Sequence, residues 1–182
     1  MPDEMFYLEI VPKDSSDYGW GAIDERNPSP LLGSFPLYFL KLDKKVKSVP
    51  DYFGCGALEV CSDRCKQLIS SVTTAVEFLP VQVLMYGGIP AKGSPFWLIH
   101  SLVLPDCVDM EHSDVSMSPI IGCGDYIGDI RKLVFDETKL ANLHYFYPEN
   151  LIRVFASKKL KEAIQREALI GFDFVPLEEL RY

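Results

Sequence analysis

The sequence lacks any run of about 18 apolar residues long enough to cross a bilayer. It is also short of positive charge: 18 Lys and Arg stand against 26 Asp and Glu, a formal net charge of −8. That deficit removes the usual source of nucleic-acid affinity, the displacement of counterions by Lys and Arg, and favours a basic partner instead. The opening residues Met1 to Glu9 carry acids where a secretion signal would carry Lys or Arg ahead of an apolar stretch, so no membrane partner and a cytoplasmic location are expected. Histidine is scarce. Any Ser/His/Asp or Cys/His catalyst would have to use His100, His112 or His144, and no Gly-x-Ser-x-Gly elbow accompanies them. Cysteine comes as an odd set of 5, which fits free thiols in a reducing compartment better than a disulfide framework. Cys55, Cys61 and Cys65 lack the tight spacing of a zinc knuckle, so neither metal nor cofactor is expected.

What is present is enough to fold. A content of 48% hydrophobic and 12% aromatic residues in 182 supports one domain spanning residues 1–182. Met5 to Val11 and Leu37 to Leu42 read as strands, and Asp14 to Pro30, dense in Ser, Gly, Asp and Pro, as loop. Residues 1–50 form the variable part. Lys41, Lys44, Lys45 and Lys47 make the one concentrated basic stretch, read as a solvated face.

An internal repeat organises the remainder. Leu58–Ser62 reads as a strand; Cys65, Leu68, Ile69 and Val72 then recur at helical spacing behind Ser62 as N-cap, and Val76–Pro80 returns to period two. About 95 residues later, Ile152–Ser157 leads into Leu160, Ala163, Ile164 and Ala168 behind Ser157, and Phe172–Pro176 repeats the strand. The strands match at an offset of 96 and the helices at 95, so one residue is inserted between them. The expected fold is α/β (α+β), a mixed and largely antiparallel sheet in which two strand-helix-strand units, about 53–85 and 150–178, share one core. Phe96 to Leu104 and Ile130 to Phe135 supply further strands.

Charge is localised between the units. From Leu102 to Ile130 there are acids at 106, 109, 111, 114, 125 and 129 and no Lys or Arg. Glycines 122, 124 and 128 lack the spacing and preceding strand of a phosphate cradle, and Asp125 and Asp129 would repel a phosphate, so the segment reads as a turn. No Ca²⁺-loop pattern accompanies the aspartates. A one-signed loop of this kind steers a basic partner and sets specificity. The expected binding residues are Asp106, Asp109, Glu111, Asp114, Asp125 and Asp129, with Tyr126 as an aromatic anchor; none is expected to be catalytic. The alternative is a small hydrolase or transferase that pairs His100 or His144 with a carboxylate or Cys107.

The stretches Ile130–Lys139, Leu151–Ala163 and Gly171–Pro176 resemble the Imm11 immunity-protein family. The middle block Phe96–Leu102 and Asp106–Asp109, with Ser113 and Val115, is similar to that family too, although His100 stands where Asn is expected. The resemblance covers about residues 53–176. It implies a bacterial cytoplasmic protein that binds and blocks a cognate toxin, without a catalytic site of its own; a monomer or dimer is expected.

Overall fold

The computed structural model describes residues 5–10, 28–31, 38–42, 47–55, 58–92, 95–120 and 124–180. In chain order the elements are β1 (Met5–Ile10), β2 (Tyr38–Lys41), β3 (Tyr52–Cys55), β4 (Leu58–Ser62), α1 (Asp63–Val72), β5 (Val76–Leu84), β6 (Phe96–Ser101), β7 (Asp114–Ile120), β8 (Gly124–Lys132), β9 (Tyr145–Phe146), β10 (Phe155–Ser157), α2 (Lys158–Arg166) and β11 (Phe172–Pro176). Short 3-10 turns lie at Glu137–Lys139 and Leu177–Glu179. No helix among the described residues is long and apolar enough to cross a membrane.

The strands form a sheet of order β11-β1-β10-β9, a sheet of order β2-β5-β6-β4-β3, and the β7–β8 hairpin. Among the described residues only β2 and β5 pair in parallel. In each larger sheet a strand-helix-strand unit is split: β6 lies antiparallel between β4 and β5, and β1 lies antiparallel between β10 and β11. The repeat holds rung by rung. Val76 faces Ser101 and Phe78 faces Ile99, as Phe172 faces Ile10 and Phe174 faces Leu8. Cys61 faces Trp97 as Ala156 faces Phe6. On the far side Tyr52 faces Cys61 as Tyr145 faces Ala156, which makes β3 and β9 counterparts as well. The chain's first strand therefore completes the sheet of its last unit, and the antiparallel strand needed at its centre comes from some 150 residues upstream.

The local chemistry is repeated too. Ser62 Oγ accepts from Cys65 N–H at 3.3 Å and Ser157 Oγ from Leu160 N–H at 3.3 Å, so each helix begins on a serine cap that satisfies one of its free amides. A residue one strand away steadies each cap: Ser62 Oγ donates to Asp51 at 2.7 Å, and Ser157 Oγ bonds His144 Nδ1 at 2.8 Å. Lys66 Nζ sits 3.1 Å from the Trp97 ring centre and 5.8 Å from that of Phe78; Lys161 Nζ lies 5.8 Å from Phe174, the counterpart of Phe78.

The core lies in three layers. Between the sheets, α1 and α2 bury Cys65, Ile69, Leu160 and Ile164 against Tyr52, Val76, Ile99, Tyr145 and Ala156, a cluster drawn from both units. The other face of the five-stranded sheet buries Leu40, Phe53, Val60, Leu79 and Leu98. The other face of the four-stranded sheet buries Phe146 and Phe155 under the hairpin residues Ile127 and Ile130. Strand β4 is buried on both faces, which is why Leu58–Ser62 reads as a continuous run rather than an alternation.

Four expectations need correction. Helix α2 ends at Arg166, and Ala168, expected on its apolar stripe, is an exposed residue at φ 50° where the chain reverses. The strand expected to run to Leu104 stops at Ser101, where Leu102 N–H bonds Ala75. The strand expected over Ile130 to Phe135 is the end of β8, which stops at Lys132; Phe135 forms an isolated bridge to Val108. The acidic segment read as loop is largely hairpin, because bulges beside Asp114 and Ser116 break the period-two signal. Of the residues read as loop, 14–27 fall outside the description, as do Lys44, Lys45 and Cys123.

Candidate functional site: the acidic hairpin

The hairpin belongs to neither repeated unit. Its register runs from Asp114 opposite Lys132 to Ile120 opposite Gly124. One face carries Val115, Ile127 and Ile130, packed with Phe135, Phe146 and Phe155 on the outside of the four-stranded sheet. Burying Ile127 and Ile130 contributes about 1.5–3 kcal/mol each, with less from the half-buried Val115, enough to fix an otherwise marginal two-stranded element. The other face presents Ser116 opposite Asp129 and Ser118 opposite Tyr126. Gly128 is required there, since a Cβ would collide with the Ser118 hydroxyl.

The approach to the hairpin is folded as tightly. Asp109 N–H bonds Val134 O at 2.9 Å and Asp136 N–H bonds Cys107 O at 2.8 Å. Asp109 Oδ1 accepts from the amides of Glu111 and His112, both at 3.1 Å, and its Oδ2 lies 2.8 Å from His112 Nδ1. The hydrogen bond from His112, helped by those amides, holds the Asp109 carboxyl below the usual aspartate range.

Of the seven residues expected at a binding site, Asp114, Asp125, Tyr126 and Asp129 lie on the hairpin, and Asp106, Asp109 and Glu111 on the stretch leading into it. Asp114 and the rung of Asp125 are about 17 Å apart along the strand; Asp129 shares the face of Ser118 and Tyr126, and Asp125, opposite Pro119, lies on the other face. Asp106, Glu111, Asp114, Asp125 and Asp129 are exposed. Asp106 is 3.5 Å from Lys139 and Asp114 is 3.7 Å from Arg131, exposed pairs worth little individually. Asp129 accepts from Ser116 Oγ at 3.1 Å. Tyr126, expected as an exposed anchor, is only 7% exposed. It is buried because Asn150 to Arg153 runs beside β8, clipped by Ile127 N–H to Asn150 O at 3.0 Å.

Between that segment and β8 lies a cleft of about 470 Å³. Its buried side is Tyr126, Ile127, Ile130 and Leu151; Ser118 and Ile152 are exposed at its mouth, and Arg153 is half-buried. Sequence reasoning missed the cleft, because only the chain reversal at Pro148–Asn150 brings Leu151 to Arg153 against β8. In the sequence Ile152 reads as the start of a strand, whereas β10 begins at Phe155 and Ile152 is 52% exposed.

Among the described residues, His100, His144 and Cys107 are held by structural contacts or burial. His100 is 4% exposed, with Nδ1 2.8 Å from Glu77 Oε1, which also accepts the Leu31 amide at 2.5 Å; this pairing answers the departure noted at His100. The Ser157 hydroxyl beside His144 is fully buried and committed to its helix cap. Burial pushes the Cys107 thiol up to about 12, far from a reactive thiolate. Among the described residues no three His, Cys, Asp or Glu side chains are placed to hold a metal ion.

The family model of the Imm11 immunity proteins matches residues 10–179. The chain belongs to the Imm11 immunity protein family. Comparison with curated proteins gave no match. The match takes in both repeated units and the hairpin, so the acidic insertion lies inside the region that the Imm11 model describes.

Proposed function

We propose that this Imm11 protein neutralises a cognate bacterial toxin by binding it directly, in the cytoplasm, through the outward face of the β7–β8 hairpin and the acidic stretch before it. One observation carries the reading: the acidic run lies on a segment outside the two repeated units, and that segment is packed through Ile127 and Ile130 onto Phe135, Phe146 and Phe155. A fixed one-signed surface raises association rates and excludes like-charged partners, so the partner carries a basic surface. Inhibition needs no chemistry by the Imm11 protein.

The test is association with the toxin encoded beside this gene, followed by stopped-flow kinetics at several salt concentrations. Replacing Asp106, Asp109, Asp125 and Asp129 by Ser should slow association about tenfold at low salt and flatten its salt dependence. Unchanged rates would remove the acidic face from the interface. No complex at all would remove the function.

A further inference from the structure

The cleft beside β8 combines an apolar, aromatic interior with an acidic surround. Tyr126 and Leu151 are buried in it, and Ser118 and Ile152 flank its mouth. Ser118 pairs with Tyr126 and Ser116 pairs with Asp129, which places the Asp129 carboxylate one rung along the same face, about 7 Å away. Asp125 is exposed too, but as the strand neighbour of Tyr126 it lies on the opposite face of the hairpin. Among the described residues neither Asp125 nor Asp129 has a Lys or Arg within 4.0 Å. The one cation lining the cleft, Arg153, is half-buried and already engaged.

An occupant suited to this surface needs an apolar stem to lie along Tyr126 and Leu151 and a cationic head to meet the Asp129 carboxylate. A purely aliphatic residue would leave that carboxylate without a countercharge, and an acidic one would be repelled. Arginine fits both requirements: its methylenes bury on apolar surface, its guanidinium stacks on aromatic rings, and its planar fork pairs with carboxylates. We infer that the cleft between β8 and residues 151–153 receives an arginine side chain of the toxin, Asp129 being its carboxylate partner. This rests on the proposed function and makes the cleft the anchoring point within the wider acidic face.

Two experiments separate the inference from the reading beneath it. In the first, Ser118→Trp fills the cleft from an exposed strand position, and Asp129→Asn removes one charge; both are compared with wild type for affinity to the toxin of the neighbouring gene, with circular dichroism and thermal melts to verify the fold. Affinity should fall about thirtyfold or more for Ser118→Trp and about tenfold for Asp129→Asn. A wild-type complex that Ser118→Trp leaves intact overturns the cleft and spares the function.

In the second, capped Gly-Arg-Gly, Gly-Leu-Gly and Gly-Glu-Gly peptides at millimolar concentration are titrated into the wild-type protein and followed by amide NMR. The arginine peptide alone should shift Ser118, Gly128 and Ile152. Equal shifts with the leucine peptide would overturn the cationic occupant. Concentration-dependent self-association that buries the cleft would overturn it in favour of a second copy of the chain.

Discussion

Removing the Tyr145 hydroxyl should destabilise the protein by an amount that grows with pH. Tyr145 Oη donates to the Glu59 carboxylate and lies 3.5 Å from Tyr52 Oη. Tyr145 and Tyr52 are counterparts in the two units, so the contact joins the units where they meet. Burial raises the Glu59 carboxyl above its ordinary value, and hydrogen bonds from Tyr145, Tyr147 and Tyr52 pull it part of the way back. Burial beside Glu59 also drives both Tyr52 and Tyr145 well above the ordinary phenol range, so they remain neutral donors.

For a carboxyl whose folded value exceeds its unfolded one, the folded state binds the proton more tightly. The associated stability is complete below the unfolded value and is lost as pH rises through the folded one, at about 1.4 kcal/mol for each unit of separation. Tyr145→Phe deletes a hydrogen bond that matters most to the charged carboxylate. Its cost should be small where Glu59 is protonated and reach about 1.5–3 kcal/mol where it is ionised. In a chain of this size that is roughly 2–4 °C of melting temperature per kcal/mol. Urea unfolding from about pH 5 to about pH 8 measures it, with Glu59→Gln as the variant that should lose the slope altogether. A Tyr145→Phe cost identical at both ends of that range would refute the assignment of Glu59 as the titrating group.

Gly171 and Gly87 make a matched pair. Gly171 has φ +104° and a Cβ there would strike the Tyr52 carbonyl, whereas Gly87 has φ +89° with nothing within 4 Å. Gly171→Ala should cost more than about 2 kcal/mol and Gly87→Ala about 1 kcal/mol, both read from urea midpoints; equal costs would mean that the approach of the 171 backbone to β3 carries no energy. The Asp109 carboxyl should titrate below ordinary aspartates in a carbon-detected NMR series, and His112→Ala should move it back up, since the imidazole is the main cause of its depression. A value indifferent to that substitution would show the amides of Glu111 and His112 to be sufficient.

The parts of this fold that sequence reveals are those governed by neighbours along the chain. Ser62 and Ser157 announce their helices because a cap bonds an amide three residues on. The repeat is visible through its helices and through Phe78 and Phe174, but Tyr52 and its counterpart Tyr145 stand 93 residues apart, off the repeat spacing, so the unit junction stays hidden. Hidden parts depend on distant pairing. Nothing local tells that β1 belongs between β10 and β11, because period-two strands fit any partner of matching register. The hairpin was obscured differently: its bulges and Gly128 interrupt alternation, and its polar face mimics a loop. Tyr126 shows the limit of composition. An aromatic among acids reads as an exposed anchor, yet the returning segment at 150–153 covers it and turns the anchor into the wall of a cleft.

Two departures from internal symmetry, the Glu59 carboxylate and the hairpin, meet strands β9 and β10 from opposite faces. Within the junction, Glu59 occupies the place whose counterpart is Val154, and a buried carboxylate is tolerated there only because phenols from both units reach it. A slipped docking of the units would strand that charge, which penalises alternatives more heavily than an apolar contact could. Outside, Phe146 and Phe155 support the hairpin, and each adjoins in sequence a residue facing the junction, Tyr145 and Ala156. Strands β9 and β10 thus carry the junction on one face and the acidic hairpin on the other. The position of the proposed binding face is tied to the correct docking of the units, so losing the Glu59 contacts should loosen the hairpin as well as lower global stability, whereas charge changes on the hairpin should leave the junction untouched.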